Sequence, residues 1–206
     1  MKKFFYFLLI VTVMLSFGFE KSTDAVAKPI TIVIDVAHGG SDSGAVIEGI
    51  SEKQLVQQLS KKIKSTNENV QLHFTRNDDK NLSLQERTAF INTLKPDLVL
   101  SIHINANKDT NKSGLEIFTA QEENEFSQKS TEIAQKLSSK LSENDFFKGN
   151  KLRKAPFYIL KKANAPAILI ELGYLSNEND FKYLTDTNTQ DKIANSISEF
   201  ISDLGK

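Results

Sequence analysis

Ile30-Thr31-Ile32-Val33-Ile34-Asp35-Val36-Ala37-His38-Gly39-Gly40 is the stretch on which the fold turns. Its first seven residues are mostly β-branched and apolar, which marks a strand buried on both faces. A strand with no solvent face belongs in a sheet covered by helices on either side. The strand then runs into a glycine-containing loop, and His38 stands two residues past its end.

Outward from there, strand and helix patterns alternate. Leu55, Val56, Leu59 and Ile63 share one face of a helix over 52–64. Val70, Leu72 and Phe74 alternate, giving a strand over 70–75. Ser83 and Glu86 have capping-box spacing and open a helix that runs to about residue 94. Residues 97–104 read as a strand and 115–119 as a shorter one. Ile133, Leu137 and Leu141 mark a helix over 127–142. Residues 157–160 and 167–172 read as the last strands. Ile193, Ile197, Ile201 and Leu204 form the final helix, with Gly205 at its C-cap. The loosest region is 146–154, around the turn signal Gly149-Asn150. The expected architecture is a single α/β domain, with a mostly parallel twisted sheet of about six strands and helices on both faces. No repeat and no second domain is apparent.

Composition narrows the function. Lys plus Arg number 26 and Asp plus Glu 26, so no bulk field draws in nucleic acid. Cysteine is absent, which excludes disulfides, thiolate metal sites and cysteine nucleophiles. Any metal must be held by Asp, Glu and the three histidines, His38, His73 and His103.

The N-terminus reads as an export signal. Met1-Lys2-Lys3 precedes an apolar run over 4–19, and Ala25-Val26-Ala27 is a small-x-small cleavage site. The run is short for a membrane span, which needs roughly 20 residues. Cleavage is expected after Ala27. That leaves a domain over 28–206 in the periplasm or cell wall, a monomer with no stable membrane insertion.

In an open parallel sheet, ligands bind beyond the carboxyl ends of the strands. His38, His103 and Glu171 fall at such ends, and Glu52 opens the helix after the glycine-rich loop. Two imidazoles and one carboxylate make a catalytic zinc set that leaves the fourth tetrahedral position for water. A further, unligated carboxylate can act as general base and then acid. Two His and two Glu are therefore the inventory of a metallo-amidase. Spacing alone does not choose between Glu52 and His73 as the third ligand, although His73 alternates with the apolar residues of its strand and points to the other face. The loop 38–44 lacks the Gly-Lys-Ser/Thr ending of a phosphate-binding loop.

Several blocks, in order, carry a resemblance. They are Ile34-Asp35-Val36-Ala37-His38-Gly39-Gly40 with Asp42 and Gly44-Ala45, then Gly49-Ile50-Ser51-Glu52-Lys53, then Phe74-Thr75-Arg76 with Asp78. Leu82-Ser83-Leu84 with Glu86-Arg87 follows, then Ser101-Ile102-His103-Ile104-Asn105-Ala106. The last runs from Pro166-Ala167-Ile168-Leu169-Ile170-Glu171 through Leu172-Gly173-Tyr174-Leu175-Ser176-Asn177. Together they resemble the catalytic domain of the zinc-dependent N-acetylmuramoyl-L-alanine amidases over about residues 30–204. The resemblance implies zinc ligands at His38, Glu52 and His103 and a catalytic glutamate at Glu171. It implies hydrolysis of the amide between the lactyl group of N-acetylmuramic acid and L-alanine in peptidoglycan. Asn105 would help hold substrate, and Arg76 and Arg87 would anchor the fold through loop carbonyls.

One departure stands out. The family usually places Pro-Gly before the first histidine, where this chain has Val36-Ala37, so the backbone at Ala37 must do without glycine's freedom. Division enzymes of the family often carry a helical insertion over the zinc. Here the short segment between His103 and Gly114 leaves no room for one, so an open site that needs no activator is expected. Two rival functions are a zinc carboxypeptidase on stem peptides, with Arg76 as carboxylate partner, and a peptidoglycan-binding module that has lost catalysis.

Overall fold

The computed structural model describes residues 28–144, 147 and 150–206. The expected leader lies outside the described residues. In chain order the elements are β1 (Ile30–Val36), β2 (Val46–Ile47), β3 (Ile50–Ser51), α1 (Glu52–Lys62), β4 (Val70–Phe74), α2 (Leu84–Leu94), β5 (Leu98–Asn105), β6 (Glu116–Ala120), α3 (Ser127–Leu141), β7 (Lys151–Ala155), α4 (Tyr158–Lys162), β8 (Ala167–Tyr174), α5 (Glu178–Thr185) and α6 (Thr187–Leu204).

Six strands form one sheet in the order β4-β1-β5-β8-β6-β7. The first four are mutually parallel. β6 runs antiparallel to β8, and β7 is parallel to β6. The amino ends of β6 and β7 therefore meet the carboxyl end of β8. This is the mostly parallel α/β sheet expected from the sequence.

Period-two alternation sends neighbouring residues of each strand to opposite faces. Ile32, Ile34, Ile102 and Ile170 face α1, α3 and α6, where Val56, Leu137 and Ile197 are fully buried. Val33, Val99 and Leu169 face Ile91 of α2 and Ile159 and Leu160 of α4. Farther along the strands on this second face come Asp35, Ser101, His103 and Glu171. Among the described residues α2 and α4 cover this face, burying Asp35 and Ser101 but leaving a cleft at His103 and Glu171.

Three local features differ from the sequence expectation. Residues 158–160 are helical, with Phe157 as the extended N-cap, so 157–160 is not a strand. A four-residue apolar run does not distinguish the two, and Ile159 and Ala163, buried four residues apart, show the helical spacing. The loose region 146–154 contains most of strand β7. Its Lys151, Leu152, Arg153 and Lys154 are exposed, as suits an edge strand that uses charge to block further pairing, so no apolar period marks it. Finally, β2 and β3 form a small hairpin. Its turn residues Glu48 and Gly49 have φ of 52° and 80°, the mirror-image turn that matches strand twist. This hairpin delivers the chain to Glu52.

Candidate metal and catalytic site

His38 follows β1 with φ of 56°, in the left-handed region. Three side chains hold it there. Arg87 donates to the His38 carbonyl at 2.6 Å and to the Val36 carbonyl at 2.6 Å. Arg76 donates to the carbonyls of Val36 and Ala37 at 3.1 and 2.7 Å. The His38 Nδ1 lies 2.8 Å from Asp42 Oδ2, which orients the ring and turns Nε2 inward. The expected strain at Ala37 is not present: the positive φ falls on His38, Gly39 and Gly40, and Ala37 has an ordinary backbone.

Glu52 enters from the first turn of α1, its side chain buried. Its Oε2 lies 3.0 Å from His38 Nε2 and its Oε1 lies 3.0 Å from His103 Nδ1. The backbone N–H groups of Ala45 and Ile104 also donate to it, at 3.1 and 3.0 Å. Gly44 makes this approach possible. A Cβ there would stand 2.4 Å from Glu52 Oε2 and 2.7 Å from the His38 ring, so no other residue fits. One donor atom from each of His38, Glu52 and His103 falls within 4.8 Å of the others. Two neutral-capable imidazoles and a carboxylate at this closeness fit the donor set of a catalytic zinc.

Glu171 pairs in register with His103 across β5 and β8. It is 9% exposed, and its Oε2 is buried with no hydrogen-bond partner among the described residues. A buried carboxylate oxygen left bare is costly unless something else meets it. Burial pushes the Glu171 carboxyl up to about 7. The negative charges of Glu52 and Glu116 push the same way, and the two histidines oppose them. Burial would likewise raise Glu52, but hydrogen bonds and charge from His103 and His38 outweigh it and draw Glu52 down to about 2. Burial lowers the His38 ring, yet Glu52 and Asp42 more than reverse that and lift it to about 9. In the absence of metal, His38 and Glu52 thus form an ion pair.

His38, Asp42, His103 and Glu171 line a cleft of about 330 Å³, whose wall also includes Leu84 and Phe157. Between β5 and β6 the chain forms no helix, so nothing from that segment covers the cleft.

The family model described as N-acetylmuramoyl-L-alanine amidase matches residues 32–203. The chain belongs to the N-acetylmuramoyl-L-alanine amidase family. It is 32% identical over 179 residues to N-acetylmuramoyl-L-alanine amidase LytC of Bacillus subtilis, covering 82% of this chain and 34% of LytC. The chain thus spans about a third of that relative's length. It is 32% identical to the uncharacterized YqiI of the same organism, covering 83% of this chain and 84% of YqiI. Among solved structures, an N-acetylmuramoyl-L-alanine amidase from Clostridium difficile 630 superposes with a TM-score of 0.79 at 28% identity, covering 86% of this chain and 97% of that one. The catalytic domain of CwlV from Bacillus (Paenibacillus) polymyxa var. colistinus gives 0.77 at 28% identity, covering 85% and 97%.

Within this amidase-family chain, His38, His103 and Glu171 from the strand ends and Glu52 from the helix start come together at one edge of the sheet. His73 does not join them. It pairs with Val33, lower in the sheet, and faces away from Leu72 and Phe74. The Asn105 side chain accepts from the Ala106 N–H and serves as a local turn cap. Arg76 is spent on loop carbonyls: besides Val36 and Ala37 it donates to Asp78 and Lys53. Sequence reasoning gave no role to two acidic residues. Asp42 was signalled by its spacing four residues after His38. Glu116 had no signal, because its importance comes from β6 lying antiparallel beside β8.

Proposed function

We propose that this chain is a zinc-dependent amidase that hydrolyses the bond between N-acetylmuramic acid and L-alanine in peptidoglycan. The observation that carries this is the convergence of His38, Glu52 and His103 donor atoms beside the bare, buried oxygen of Glu171. His38, Glu52 and His103 would hold the metal. A zinc ion bound there supplies Lewis acidity that activates water and polarises a carbonyl near neutral pH.

The protein's own groups do the rest. Glu171, with its carboxyl near 7, takes a proton from the attacking water and passes one to the departing nitrogen. The amide nitrogen leaves poorly without that proton. Asp42 keeps the His38 ring turned so that Nε2 faces the metal position. The Ala45 and Ile104 N–H groups hold the Glu52 carboxylate in place.

Against a carboxypeptidase, the Arg76 guanidinium has given its donors to backbone carbonyls. Against a catalytically dead binding module, Ala37 needs no positive φ and all four polar groups stand in place. The uncovered cleft supports turnover without an activator. The N-terminal export signature supports action in the periplasm or cell wall, by a monomer released from the membrane.

The test combines metal analysis with digestion of purified peptidoglycan, with and without chelator. One zinc per chain and release of intact stem peptides, lost with chelator and restored by zinc, is the expected result. Release of single terminal amino acids instead would make it a carboxypeptidase. Zinc without release, or release only after adding a second protein, would overturn the self-sufficient amidase.

A further inference from the structure

His103, Glu171, Glu116 and Lys151 occupy one register row across β5, β8, β6 and β7. The row continues past Glu171 into a second cleft, of about 300 Å³, over β6 and β7. Glu116 forms its floor. It is 7% exposed, accepts from Tyr174 Oη at 2.9 Å and from Arg153 Nε at 2.8 Å. Through Nε alone, Glu116 fixes the Arg153 guanidinium while the outer edge of that group, half exposed, faces the cleft. Lys151 and Lys112 complete the rim, and neither has an acidic partner among the described residues. Asp109 also lines the cleft, its Oδ1 accepting from the backbone and side-chain N–H groups of Asn111, so three cations stand there against the two carboxylates of Glu116 and Asp109.

The two flanks of Glu171 thus differ in kind. One, toward β1, is walled by exposed Leu84, with Asp42 at its rim. The other presents a guanidinium and two ammonium groups. Resting on the amidase reading above, we propose that the β6–β7 cleft binds a carboxylate of the stem peptide, with Arg153 and Lys151 as its ligands and Glu116 as the positioning residue for Arg153. Adjacent strands lie about 4.8 Å apart, so Lys151 stands two strand spacings, about 10 Å, from Glu171. An extended peptide advances about 3.5 Å per residue. The group received is therefore a carboxylate two or three residues beyond the scissile amide. The glycan then lies on the β1 side of Glu171, toward Leu84.

Two synthetic stem peptides test this, one with free carboxylates and one with every carboxylate converted to carboxamide. Calorimetric binding to the zinc-loaded chain needs no turnover. The free-acid peptide is expected to bind about tenfold more tightly, the size of one charge-assisted hydrogen bond. Lys151→Glu and Arg153→Gln are expected to erase that discrimination, with Lys129→Glu on α3 as the charge control. With muramyl peptides as substrates, the same variants should raise KM for the free acid and not for the amide. Equal binding of the two peptides by the unaltered chain, or discrimination that survives both substitutions, would overturn the proposal. Discrimination in binding without any hydrolysis would keep the cleft and reject the amidase reading.

Discussion

Two buried polar clusters lie a few residues apart on the same face of the sheet, and they are built on opposite principles. The lower one is closed. Asp35 Oδ1 meets Arg87 at 2.9 Å and Thr75 at 2.9 Å, and its Oδ2 accepts from Ser101 at 2.7 Å. Arg87 spends its remaining donors on the carbonyls of Leu82, Val36 and His38. The upper cluster, His38, Glu52, His103 and Glu171, is left open: one oxygen of Glu171 has no partner among the described residues, and three atoms able to ligate a metal crowd together. A closed network holds a loop in shape, whereas an open one holds reactive groups away from the partners that would quench them.

The contrast can be broken from either side. The largest effect is expected in the open cluster. His103→Ala should lose both zinc and hydrolysis, measured by metal content and peptide release; a variant that kept zinc would remove His103 from the ligand set. Glu171→Ala should keep zinc and lose about 10²–10⁴-fold in rate, the usual share of a general base. Normal turnover there would end its catalytic role.

In the closed cluster the loss should fall on stability. Arg87→Ala strips a buried carboxylate of its partner and should cost about 3–5 kcal/mol in denaturant unfolding. Glu171→Gln should instead leave the metal-free fold as stable or more so, because it removes a buried charge that has no mate. If both substitutions destabilised alike, the distinction between the clusters would be wrong.

The smallest effect is a pH slope. In the metal-free chain Glu171 is raised from 4.5 to about 7 and His38 from 6.5 to about 9. In both cases the folded state holds a proton that the unfolded state has released, so stability falls as pH rises. The Glu171 contribution declines between 4.5 and about 7. The His38 contribution is complete below 6.5 and is gone above about 9. Thermal melts of chelated protein from pH 5 to 9 should therefore trend downward, and Glu171→Gln should flatten the lower half. Zinc binding displaces the His38 proton, so added zinc should stabilise more as pH rises.

Much of this was legible in the chain because strands announce themselves when buried. The β-branched run of β1 placed His38, and the apolar runs of β5 and β8 placed His103 and Glu171. Glu52 was harder. Its arrival depends on the hairpin at 46–51, too short to show a period, and spacing left it level with His73. The edge was least legible: β7 is charged and exposed, and the run 157–160 that opens α4 has the composition of a strand. Glu116 was invisible for a further reason. Strand direction is a property of the assembled sheet, and only the reversal of β6 puts that carboxylate beside Glu171.

The left-handed backbone at His38 also bears on descent. Most side chains resist that conformation, and among non-glycine residues asparagine, aspartate and histidine accept it best. A lineage that abandoned the chemistry could therefore trade the histidine for asparagine or glycine and keep its loop. Valine or isoleucine at the same position would lose the loop together with the reaction.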